Sequence, residues 1–166
     1  MKYNILPKAV IMAGMALWMS SIVLNNIFDS GTNIYNINNT ITMSLLKDDP
    51  VLGLGLKWRA WPDGYAHLIL RCVIVYQLVI VCAFWFSAFR YMKVFLGKIQ
   101  EASAMRTANI ALIIFSIHWF GFLCGGTWFG YWIKQGAFTG VHTLMLIMNI
   151  ILFIFINQTI HERDAR

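Results

Sequence analysis

Four unbroken apolar blocks dominate the chain, at about residues 6–28, 65–89, 108–132 and 138–157. A helix needs roughly 20 apolar residues to cross the hydrocarbon of a bilayer, and each block meets that length. The composition agrees: 59% of the 166 residues are hydrophobic and 12% are charged, against about 25% charged in a soluble domain. The blocks therefore predict an all-α membrane protein. It is a four-transmembrane-helix bundle filling residues 1–166 as one domain, with a long, partly structured first loop at 29–64.

The net charge of +6 does not call for nucleic acid, because the basic residues cluster at the block ends. Lys2, Lys8, Arg90, Lys93, Lys98, Arg106, Arg163 and Arg166 fall on one side. Lys47, Lys57, Arg59 and Lys134 fall on the other, offset by Asp29, Asp48, Asp49 and Asp63. The excess of positive charge places both termini in the cytoplasm and the first loop outside. The first block runs past the ~7–15 apolar residues of a signal-peptide core and has no clear cleavage site, so it is expected to stay. Cys72, Cys82 and Cys124 all lie inside blocks, with no CxxC and no zinc spacing, and read as small packing residues.

In the first loop, "DSGTNIYNINNT" reads as turn-rich. Thr40 is placed to cap a short helix, "ITMSLLK", that ends before Pro50. Trp58 and Trp61, with Arg59 between them, have the character of interface anchors, as do Trp128 and Trp132 at the end of the third block. That third block closes on "GFLCGGTWFGYW", where Gly121 and Gly125 are one helical repeat apart, as are Gly126 and Gly130. Within lipid, close backbone approach decides which helices associate, and glycine permits it. The four glycines are therefore expected to pack against another helix. The first is the best match, through Ala9, Ala13 and Ala16. The alternative is a groove filled by a lipid tail, a quinone or a partner's helix.

Polar groups inside a span are costly and mark function or specific pairing. Counted down from the outer block ends at ~1.5 Å per residue, Asn25, Asn26, Asp29, His67, Arg71 and His142 collect in one outer layer. Arg71 should find acceptors in Asp29, Asn25 and Asn26. The layer is either a structural network or a site for an anionic headgroup, a quinone carbonyl or a partner's carboxylate. No cofactor is expected. Haem b is the one the histidines raise, but by the same count His118 lies ~15 Å deeper than His142. Motifs for hydrolase, metalloprotease and phosphate-binding chemistry are missing from the sequence, which points to a non-enzyme.

"NNIFDSGTN", "KWRAW" and "GGTWFGYW", in that order, resemble a bacterial family of small integral membrane proteins classed as a domain of unknown function. The matching positions are Asn25, Asn26, Asp29, Asn33, Trp58, Arg59, Gly125, Gly126, Trp128, Phe129 and Trp132. The resemblance implies a four-helix, multi-pass protein of the bacterial inner membrane and names no activity. Where "MSLLKDD" stands, the family leads one to expect a more polar, histidine-bearing segment. The leading expectation is a non-catalytic accessory subunit packed among membrane lipids against a larger membrane complex. A lipid-, quinone- or haem-binding subunit is the second, and a membrane immunity or protective protein the third.

Overall fold

The computed structural model describes residues 2–158, with side chains from residue 5 onward. Of the charges counted above, Arg163, Arg166 and the side chain of Lys2 lie outside the described residues. The helices are α1 (Lys2–Phe28), α2 (Ser30–Ile41), α3 (Ala66–Phe95), α4 (Glu101–Trp128), α5 (Tyr131–Lys134) and α6 (Gly136–Asn157). Four of them, α1, α3, α4 and α6, are long and apolar enough to cross a membrane. The helices outrun the apolar blocks at one end, because α3 continues to Phe95 and α4 begins at Glu101. Apolarity marks where lipid lies, whereas a helix continues into water as long as its backbone bonds do. At the other end α4 stops before the block does. Gly130 takes φ +67° there and turns the chain into α5.

The first loop differs from its sequence reading. Its helix lies upstream, over the asparagine-rich segment, and Thr40 sits in the last turn instead of capping a new helix. Ser44–Leu46 and Leu54–Arg59 are single 3₁₀ segments. Asparagine's weak helix propensity is overridden by packing. Ile34, Ile37 and Ile41 recur at helical spacing and join Met43, Leu46, Ala66 and Phe129 in a small core of their own.

The spans pack in series, α1 on α3, α3 on α4 and α4 on α6. The alanine stripe of α1 thus faces α3, not the glycines of α4. A cleft between α1 and α3 is bounded by Ala9 and Ala13 on one side and Trp85 and Ala88 on the other. The seam where small residues let backbones approach lies toward the terminal end of the bundle, where Ala104, Ala108 and Ala111 of α4 are fully buried. The cysteines are exposed rather than packed inside.

That end is also tied by charge. Lys8 is buried, with its Nζ 2.8 Å from Glu101 Oε1 and donating to the Gln158 carbonyl at 3.0 Å. Glu101 opens α4, and Gln158 caps the C-terminus of α6. One ammonium thus joins three helices, next to the carbonyl-rich end of α6, where a cation is favoured. Between α4 and α6, Asn149 Nδ2 donates to the Leu112 carbonyl at 3.1 Å and to Ser116 Oγ.

Asp49 holds the loop to the other end. Its Oδ1 accepts from the amides of Leu52 (2.8 Å) and Val51 (3.0 Å), and its Oδ2 pairs with Lys134 at 2.9 Å.

Two outcomes are expected. Lys8→Met should cost about 3 kcal/mol in detergent unfolding, because Glu101 keeps its partly buried charge without a partner, and adding Glu101→Gln should recover most of that loss. For Asp49, the Leu52 amide, then Lys134 and the Val51 amide, lower the pKa from 3.8 to about 2. A folded-state pKa below the unfolded value gives stabilisation that is complete above pH ~4 and lost as the pH falls toward ~2. Amide exchange at Val51 and Leu52 should accelerate through that window, and Asp49→Asn should remove the pH step.

Candidate functional site

The heights of the helices create the site. Lys8 and Glu101 are level, since their side chains meet. Counting helix rise from them, Asn26 stands about 27 Å and His118 about 25 Å toward the loop end. There α1 finishes, while α4 continues for about another 15 Å to Trp128. The chain bends at Asp29 (φ −115°, ψ 51°) and α2 takes up the remaining height. Beneath α2, between it and α1, α3, α4 and α6, lies a cavity of about 930 Å³.

A line of polar groups crosses its inner end. Asn26 Nδ2 donates to Gln77 Oε1 at 2.6 Å, and Gln77 Nε2 lies 3.2 Å from His118 Nε2. All three residues are at least nine-tenths buried. The Gln77 oxygen is taken by Asn26, so its nitrogen donates and His118 Nε2 accepts. Tyr76 stacks on the His118 ring at 5.5 Å and donates its hydroxyl to the Ile114 carbonyl at 3.2 Å. Across the cavity, the Tyr131 hydroxyl lies 3.2 Å from His142 Nδ1. Tyr131 is outside the spans, and burial raises its pKa, so the group is a neutral phenol. Among the described residues that line the cavity there is no Asp, Glu, Lys or Arg.

The outer polar layer expected from the sequence is divided by this arrangement. Asn26 and His142 line the cavity, whereas Asn25, Asp29, His67 and Arg71 are exposed. Arg71 does not pair with Asp29. The ion pairs among the described residues are Lys8–Glu101 and Lys134–Asp49. The expected layer fails because Phe28 was taken as the surface end of α1, and α1 ends well below the top of α4. Asn26 instead joins Gln77 and, through it, His118, polar residues of the second and third blocks. Counting from the level of Lys8 would have aligned Asn26 with His118. Trp119 and Phe122 carried no signal beyond apolarity.

The glycines separate in the same way. A Cβ on Gly121 or Gly125 would have no atom within 4 Å, and both residues line the cavity instead of a helix seam. Gly126 alone is a close packing contact, since its Cβ would lie 2.5 Å from the Tyr131 ring. Gly130 serves its turn, with a Cβ position 3.1 Å from Leu56 Cδ1.

Haem does not fit. Phe122 and Trp119 both pack on the two histidines, Phe122 at 4.6 Å from His118 and 4.9 Å from His142 by ring centroids. An iron needs both imidazole nitrogens within about 2 Å of it, and the uncharged lining has no cation for haem's carboxylates.

At the rim, the guanidinium of Arg59 lies over Trp128 (4.4 Å) and Trp58 (5.2 Å) and donates to the Trp128 carbonyl. Trp61 packs edge-on against Phe129 at 5.6 Å and borders the cavity, while Trp132 is exposed.

A bundle of four apolar spans under a folded loop, with a partly open cavity between them, defines a small multi-pass integral membrane protein. The chain belongs to the family described as "Predicted small integral membrane protein (DUF2165)", which it matches over residues 5–159. No curated protein and no solved structure matches it.

The glycines provide a direct check. Gly126→Ala should destabilise by about 1–3 kcal/mol through collision with Tyr131. Gly125→Ala should leave stability unchanged or raise it by up to about 1 kcal/mol, because a glycine is lost from a helix. Equal losses in thermal unfolding would show that Gly125 is a packed position after all.

Proposed function

We propose that this protein is a membrane-embedded binding protein for a lipophilic small molecule, acting by retention and not by turnover. The observation that carries the reading is the cavity itself. Its volume is that of a ligand site, its walls are mostly apolar, and a few polar groups converge at one end. The accessory-subunit expectation draws on packing glycines and aromatic anchors, and Gly121 and Gly125 line this cavity with no packing neighbour. The charge distribution supports an orientation with both termini in the cytoplasm and the cavity toward the outer leaflet. On the family resemblance, we place the protein in the bacterial inner membrane.

A second reading, an accessory subunit of a larger membrane complex, draws on the Trp58–Arg59–Trp128 cluster. Trp58 is 71% exposed, and Trp and Arg are the residues most often found at the energetic centre of interfaces.

Gly125→Leu separates the two readings, because the added side chain has empty space to enter. Protein purified in mild detergent should yield a reproducible lipophilic compound on solvent extraction and mass spectrometry. The Gly125→Leu protein, equally folded, should yield much less of it. An unchanged extract from the variant would remove the ligand-binding reading.

A further inference from the structure

We infer that the cavity takes a ligand with an uncharged, carbonyl-bearing head and a long apolar tail, a chemistry shared by prenylated quinones and neutral glycerides. The inference rests on the ligand-binding reading above and adds the class of ligand.

The lining holds no Asp, Glu, Lys or Arg among the described residues, which disfavours an ionised head. A phosphate or carboxylate placed there would be desolvated with no Lys or Arg to pair with, and one ring nitrogen of each histidine already has a protein partner. A neutral head is therefore favoured. The hydrogen-bond inventory then gives its polarity. His118 Nε2 is occupied as an acceptor from Gln77, so a neutral imidazole carries its proton on Nδ1, and His118 makes no other hydrogen bond among the described residues. Trp119, beside it, is 5% exposed and lines the cavity. Its Nε1 is buried and has no acceptor among the described residues. A buried indole N–H ordinarily has a partner. The His118 Nδ1–H at the inner end thus lacks an acceptor, and a carbonyl oxygen supplies one, whereas the Trp119 N–H is shut off from the cavity. The aromatic faces of Tyr76 and Phe122 flank the same end and suit a flat head. Most of the remaining lining is apolar and suits a tail, with Asn33, Asn36, Thr40, Tyr131 and His142 as its polar members.

The test uses the full chain in nanodiscs with four probes: decylubiquinone, dioleoylglycerol, oleate at pH 8 and phosphatidylglycerol. Binding is read by native mass spectrometry and by the shift in Tm. One or both neutral probes should bind more tightly than either anionic probe, and which of the two wins identifies the source of the head group. His118→Phe keeps a flat ring at this position and removes the donor. It should weaken the neutral probe about tenfold, the worth of one hydrogen bond, with the unliganded Tm showing that the variant is folded. Gln77→Leu should also weaken it, by releasing His118. If oleate or phosphatidylglycerol binds as well as the neutral probes, or if His118→Phe leaves their affinity intact, the inference about the head group is overturned and the ligand-binding reading survives. If none of the four probes binds and the cavity extracts empty, both fall.

Discussion

Inside a bilayer, burying apolar surface against another helix gains little, because lipid is as apolar as the neighbour. Helices in this chain are tied most closely where backbones approach and where polar groups find partners. Both conditions hold at the terminal end. Fully buried alanines line α4 there, and Lys8 joins α1 to α4 and α6 through Glu101 and the Gln158 carbonyl. At the loop end the polar pairs bridge a cavity between the spans, and a separate core around Ile41 and Phe129 closes the top. The cavity is what remains between a tightly tied end and a capped one.

The polar line at its inner end also belongs to this constraint. An amide or imidazole facing hydrocarbon must be satisfied by protein. Asn26, Gln77 and His118 satisfy one another in sequence across α1, α3 and α4. Because α1 ends at that level, its last turn brings an asparagine to a depth that the other helices reach only midway. The latch on the lid is equally economical. The Thr40 hydroxyl lies 2.9 Å from Gln135 Oε1, at the start of α6.

Much of this was legible in the sequence, and the rest was not for identifiable reasons. Apolar length gave the number of spans and their approximate places, because the bilayer imposes that length directly. Helix ends were less legible, since Glu101 and Phe95 lie beyond the lipid-facing blocks. Depth was misjudged at Asn26 because nothing local indicates that α1 stops short. The loop helix was missed because Ile34, Ile37 and Ile41 acquire their meaning only from Phe129 and Ala66, which are distant in sequence. Gly121, Gly125 and Gly126 look alike in a helix-packing pattern, yet only Gly126 has a ring against it. Their difference depends on Tyr131, which the pattern does not include.

The bare faces of Gly121 and Gly125 have a consequence for how such a protein changes over generations. Substitutions in a packed interior usually alter stability and shape together. At these two positions, a new side chain enters vacant space without pressing on a neighbour. The bore of the cavity is thus adjustable one residue at a time, independently of the alanine seam that holds the bundle. Single substitutions on this one helix face can therefore narrow the bore in steps, while the same scaffold is inherited.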